Sequence, residues 1–148
     1  RRYALDFDGD THIDLIGNPA DAIGSVAHFL REHGWTPGLP THWAVDAPSD
    51  AALRERLLQG GLEPRWQAAE LQGLRWSDGA QTSIDTQGPW ALVQLENGDA
   101  AAPGYWLGSR NFWVVTRYNR SAYYALAVIE LGAELARLRG AGQADGAP

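Results

Sequence analysis

Cysteine, lysine and methionine are all absent from this 148-residue sequence. Without cysteine, disulfides and thiolate metal ligation are impossible, and the redox compartment is not encoded. Without lysine, the 12 basic residues are all arginine, and 18 acidic residues outnumber them. The net charge of -6 and pI near 5.1 disfavour nucleic acid or an anionic membrane as partner. No apolar run approaches the roughly 20 residues of a membrane span, and none has the layout of a signal peptide. Methionine is missing even at position 1, which is the expectation for a processed or truncated piece of a longer protein. Neither H-E-x-x-H nor G-x-S-x-G occurs, and His12, His28, His33 and His42 have no metal-ligand spacing. Hydrophobic residues, at 45%, suffice for a core in one domain or a domain with a small insert.

What is present is a rhythm of acids, Asp6, Asp8, Asp10 and Asp14, in DFDGDTHIDL. Carboxylates this close repel one another unless a cation lies between them. Their spacing matches ligand positions 1, 3, 5 and 9 of an EF-hand loop, with the His12 backbone carbonyl at position 7. The match departs at two places. Thr11 stands where the sharp turn wants glycine, and a β-branched residue at positive φ costs about 1–2 kcal/mol. Gly17 stands where a bidentate glutamate is expected, so Asp21, in the first turn of a predicted helix, is assigned as the closing ligand of a lengthened loop. The alternative is an acidic surface turn without an ion.

Asn18 and Pro19 predict a capped helix that Gly34 ends, with Ile23, Val26, Ala27 and Leu30 as its buried stripe. A short strand is predicted at 42–45, and a surface helix from Asp50 to about Gln59 capped by Ser49. Residues 65–71 read as another short helix, and WALVQL at 90–95 as a strand, with 105–107 as its hairpin partner across Asn97-Gly98. Ser109 and Ser121 cap two further helices, the second ending before Gly140 with Tyr124, Val128, Leu131, Leu135 and Leu138 along one face. Seven tryptophans and five tyrosines suit either sugar stacking or ordinary core packing.

DFDGDTHIDL, then NPADAIGSVAHFLREHGW, and much later NFWVVTRYNRSAYYALAVIELG, together resemble the membrane-bound lytic murein transglycosylase B family. The resemblance covers the first 35 residues and about 109–139, and the middle only by position and general character. It implies an α+β fold: part of a lysozyme-like helical core with an EF-hand-like calcium loop and a small inserted β-containing subdomain. The implied division is a core segment at 1–37, an insert at 38–108, cleft helices at 109–140 and a disordered tail at 141–148. The family cleaves the β-1,4 bond between N-acetylmuramic acid and N-acetylglucosamine in peptidoglycan. The muramyl C6 hydroxyl attacks its own anomeric carbon, and a 1,6-anhydro product results. One glutamate acts as acid and then as base, unlike the usual pair of carboxylates.

That glutamate lies in an ES-x-FG segment in the family, and neither this motif nor the family's FMPSS segment occurs here. Glu32, Glu55, Glu63, Glu70, Glu96, Glu130 and Glu134 all stand in other contexts. The chain therefore reads as the C-terminal part of such an enzyme, inactive alone, with no catalytic residue of its own. The resemblance assigns Tyr118 and Asn119 of the RYN motif to the substrate cleft, with Tyr124 as a second cleft tyrosine and Phe29 where the family has a tyrosine. Packing roles for Tyr118 and Tyr124 are the competing assignment, and Arg117 reads as an ion-pair partner. The implied cofactor is structural Ca2+; the implied partners are the peptidoglycan strand and other cell-wall proteins, with the chain a monomer. The implied location is the periplasm, with a lipid anchor in the outer membrane as an option for the full-length protein. A non-catalytic, calcium-stabilised glycan- or protein-binding module is the alternative.

Overall fold

The computed structural model describes residues 2–77 and 88–144, with side chains to 140 in the last helix. The end of the predicted tail, 145–148, lies outside the described residues. Two compact units are present, Arg1–Leu39 and Pro40–Pro148.

The first unit consists of the acidic loop and helix α1, Pro19–Glu32. Asn18 caps α1 through Oδ1, which accepts from Ala20 N at 2.9 Å, and Pro19 occupies the first turn, where a missing N–H costs nothing. Beyond the end, Gly34 at φ +92° allows Trp35 N to donate back to Leu30 O at 3.0 Å. The helical period was legible, but the buried face is a different one. Asp21, Gly24 and Ser25 are its buried residues. Ser25 Oγ accepts from Leu5 N at 2.8 Å, and a Cβ on Gly24 would collide with the Phe7 ring. The loop thus packs on the small, polar side of α1. Ile23 and Val26, expected in the buried stripe, are 70% and 44% exposed.

The second unit holds a three-stranded antiparallel sheet of order β1-β3-β2. Its strands are β1, His42–Val45, β2, Ala91–Leu95, and β3, Gly104–Gly108. Trp106 on the central strand pairs with Ala44 on one side and Val93 on the other. The connection from β2 to β3 spans 96–103; its turn lies at 99–100 rather than at the predicted Asn97-Gly98, where Gly98 has φ +84°. Helix α2, Ala51–Leu58, is capped by Asp50 rather than Ser49, because Asp50 Oδ1 reaches Ala52 N at 2.9 Å and Leu53 N at 3.2 Å. The short helix predicted at 65–71 is a 3-10 turn at Ala68–Leu71.

Leu57, Leu71, Trp90, Leu92 and Leu107 form the core, with Trp43, Trp66 and Trp76 packed against it. Trp43 and Trp90 meet edge to face at 4.6 Å. For these four tryptophans, core packing therefore wins over sugar stacking.

Ser109 ends β3's connection and starts helix α3, Arg110–Asn119. Its Oγ accepts from Asn111 N at 3.0 Å and donates to Pro40 O at 2.6 Å. Arg120, at φ +42°, turns the chain into helix α4, Ala122–Ala144, which runs past the expected stop before Gly140 and into the segment expected to be disordered. Ala125 is buried and Tyr124 half-buried, whereas every residue from Glu130 to Gly140 is exposed, including Leu131, Leu135 and Leu138 of the predicted apolar face.

His42 on β1 faces the Phe112 ring at 6.0 Å and has Thr41 Oγ1 at 3.0 Å from Nδ1. Burial holds its pKa below the ordinary 6.5, opposed by the charge of Glu130. The unfolded chain therefore takes up this proton first. Its contribution to stability is complete above about pH 6.5 and declines as pH falls from there toward the depressed folded-state value. Urea unfolding at pH 8 and pH 5 should show a loss in acid that His42→Gln reduces; an undiminished loss in the variant would move its cause elsewhere.

Candidate functional site

The acidic loop is a web of carboxylates accepting backbone N–H groups. Asp6 Oδ1 accepts from Gly9 N at 2.7 Å and Asp10 N at 3.1 Å, and Asp6 Oδ2 from Thr11 N at 2.8 Å. Thr11 sits at φ +73°, so it adopts the left-handed conformation that the loop position demands despite its branched side chain. Its N–H bond to Asp6 helps offset that strain. Asp8 accepts from Asn18 Nδ2 at 2.7 Å, which links the loop to the cap of α1. Asn18 therefore has a second task that its capping signature did not reveal.

Asp21 is fully buried, and its two oxygens clamp the two arms of the loop. Oδ1 accepts from Phe7 N at 2.7 Å and Oδ2 from Asp14 N at 2.9 Å. The N–H of Asp14, then that of Phe7, hold its carboxyl below the usual range against the opposing effect of burial. Asp14 is likewise lowered, by the N–H groups of Gly17 and Ile16 at 2.8 and 2.9 Å.

Of the predicted ligands, Asp6, Asp8 and Asp21 converge, each offering an oxygen within 4.8 Å of the others. Asp10 and Asp14 are not in this group. Asp10 instead accepts from His12 N at 2.8 Å, and Asp14 from the N–H groups just beyond it. The His12 carbonyl remains an expectation of the loop pattern. Three hard oxygen donors gathered around one point, one of them buried and kept ionised, fit a calcium ion, which takes 6–8 oxygens at 2.3–2.6 Å. Bound there, the ion would neutralise the carboxylates and join loop to helix.

Three of the four predicted cleft residues, Tyr118, Asn119 and Tyr124, lie where α3 meets α4. The Tyr118 and Tyr124 rings stack at 6.2 Å with 13° between planes. Tyr118 is 59% exposed and Tyr124 half-buried. Asn119 is exposed on the last turn of α3. Neighbouring Tyr123 has a structural task, its hydroxyl accepting from Glu96 N at 2.8 Å. Phe29 belongs to the first unit, where it packs on His33 at 4.0 Å and on Tyr3 at 5.1 Å.

A small antiparallel sheet with helices, and a tyrosine pair at a helix corner, make up a mixed α and β arrangement of the lysozyme-like lytic transglycosylase kind. The chain belongs to the family of the transglycosylase SLT domain, whose model matches residues 1–133. It is 36% identical over 139 residues to the membrane-bound lytic murein transglycosylase B of Escherichia coli K12, covering 94% of this chain and 36% of that protein. The soluble lytic transglycosylase SltB1 from Pseudomonas aeruginosa superposes with a TM-score of 0.77 at 42% identity, over 95% of this chain and 44% of that one. The Escherichia coli lytic transglycosylase Slt35 in complex with calcium gives 0.70 at 33% identity, over 93% and 41%. SltB3 from Pseudomonas aeruginosa in complex with NAG-NAM-pentapeptide gives 0.66 at 29%, over 86% and 33%. This chain thus spans less than half the length of these relatives.

Proposed function

We propose that this chain is the C-terminal, cleft-forming part of a peptidoglycan lytic transglycosylase of the periplasm. In this reading the whole enzyme cleaves the MurNAc-β-1,4-GlcNAc bond, with the C6 hydroxyl closing on C1 to give a 1,6-anhydromuramyl end. The proton for the departing O4 comes from a carboxylic acid outside these 148 residues, and the same carboxylate then receives the C6 hydroxyl proton. The observation that carries the reading is the stack of exposed Tyr118, in the RYN segment that resembles the family cleft motif, on half-buried Tyr124, with Asn119 beside it. Two parallel rings offer flat faces to a pyranose and two hydroxyls to its substituents. Phe29 supplies a further apolar surface in the same reading. Calcium is structural, held by Asp6, Asp8 and Asp21, with Asp10, Asp14 and the His12 carbonyl as the remaining loop donors. Partners follow the relatives: glycan strands, including those carrying a pentapeptide as in the SltB3 complex.

Sedimentation with purified peptidoglycan and mass spectrometry of the soluble products test this reading. The chain should co-sediment and release no anhydro-muropeptides, and Tyr118→Ala with Tyr124→Ala should weaken binding about tenfold, as expected for one or two lost stacking contacts. Anhydro products from the chain alone would refute the missing acid, and undiminished binding by the double variant would refute the cleft.

A further inference from the structure

The two stacked tyrosines ride on helices that are held very differently. Tyr118 lies near the end of α3, whose Phe112, Val114 and Val115 are buried. The cap of α3, Ser109, donates its hydroxyl to Pro40 O at 2.6 Å and its N–H to Thr41 O at 2.9 Å. Tyr124 is in the first turn of α4, which has little to rest on. Ala125 is its one buried residue among the described ones, and the helix is exposed from Glu130 to Gly140. Between α4 and the sheet lies a groove of about 360 Å³, with Leu95 and Trp106 on the sheet side and Leu126 and Glu130 on the helix side. Apolar packing therefore fixes the tilt of α4 only weakly.

One side chain crosses from α4 to the end of β2. The Tyr123 hydroxyl accepts from Glu96 N at 2.8 Å and donates to Glu96 O at 3.3 Å, so one oxygen engages both backbone groups of a single residue. Among the described residues no other hydrogen bond joins α4 to the sheet or to the β2–β3 connection. Tyr123 and Tyr124 project from α4 about 100° apart and so share no face. What they share is the backbone of one helical turn, which Ser121 Oγ caps by accepting from Tyr124 N at 3.2 Å. A turn anchored at Tyr123 cannot rotate or lift without stretching the two bonds to Glu96, and Tyr124 moves with it.

We infer that Tyr123 is a positioning residue for the tyrosine pair: its hydroxyl, held by the Glu96 backbone, sets the tilt of α4 and with it the stacking of Tyr124 on Tyr118. The β2–β3 connection thereby bears on the geometry of the pair without touching either ring. Its effect on sugar affinity rests on the glycan-binding reading above; its effect on the stack does not.

Tyr123→Phe deletes the hydroxyl and keeps the ring. Two measurements test the role: nuclear Overhauser effects between the Tyr118 and Tyr124 rings, and calorimetric titration with NAG-NAM. Asp50→Ala is the reference, because it removes the cap of α2 at a comparable cost to stability. The unaltered chain should show the ring-to-ring effects. In Tyr123→Phe they should fall to half or less, and NAG-NAM should bind about three- to fivefold more weakly, as for one lost hydrogen bond. The melting temperature should drop by no more than about 4 °C. Asp50→Ala should lower the melting temperature similarly and leave stack and affinity unchanged. Ring-to-ring effects absent from the unaltered chain, undiminished in folded Tyr123→Phe, or lost equally in Asp50→Ala overturn the positioning role. Failure of the unaltered chain to bind NAG-NAM overturns the glycan reading instead, and the ring-to-ring effects still decide the positioning. A loosened stack with undiminished affinity overturns the sugar role of the stack.

Discussion

Calcium added to the chelator-treated chain should raise its melting temperature by about 5–10 °C. At a free concentration 100 times the dissociation constant, a ligand that binds only the folded state adds about 2.7 kcal/mol. For a domain of this length each kcal/mol is worth roughly 2–4 °C. The binding energy becomes folding energy because the donors come from both ends of the loop: Asp6 and Asp8 from its start, Asp21 from α1. Asp21→Asn should abolish most of the calcium response and also lower the melting temperature of the metal-free chain. It removes a charged ligand, and it disturbs the clamp on Phe7 N and Asp14 N. Differential scanning fluorimetry with EDTA and with calcium reads both effects. A melt indifferent to EDTA and to calcium would mean that the loop holds itself together by N–H to carboxylate bonds alone.

A comparable effect should come from the sheet. Leu107 is fully buried at the centre of β3, with strands paired on both sides. Leu107→Ala should cost about 2–5 kcal/mol, the lost transfer energy plus a cavity in a tightly packed neighbourhood. Against a typical stability of about 5–15 kcal/mol that is a large share. Leu135→Ala, on the exposed part of α4, should change stability by no more than about 0.5 kcal/mol. Urea unfolding of both variants measures the contrast. Equal costs at the two positions would show that the tertiary surroundings of one leucine have been misassigned.

That contrast also marks where the sequence stopped being informative. Local devices were legible because they act within a few residues. Asn18 and Pro19 start α1, Ser109 starts α3, and His42–Val45 is a strand from end to end. Where two capping residues stood side by side, local reasoning chose Ser49, and the geometry chose Asp50, whose carboxylate reaches two N–H groups. Burial was less legible. A period of 3.6 identifies an apolar stripe but not what covers it, and Ile23 and Val26 of α1 and Val128, Leu131, Leu135 and Leu138 of α4 are exposed in this chain. The buried face of α1 is marked instead by Gly24 and Ser25, small residues that admit the Phe7 ring and a backbone N–H.

The sequence alone determined the family and marked the acidic loop and the two tyrosines, because each is written as an ordered pattern of residue types within a short span. The tertiary structure decided which members of those patterns come together. It gathered Asp6, Asp8 and Asp21 and turned Asp10 and Asp14 back to the loop's own N–H groups. It put four tryptophans in the core and stacked Tyr118 on Tyr124 at the surface. It also set two arginines against Trp113, a pairing that needs the helix to bring residues seven apart onto one face. The physical reason is the same in each case: a carboxylate or a ring has several partners within reach along the chain, and only the packed backbone selects among them.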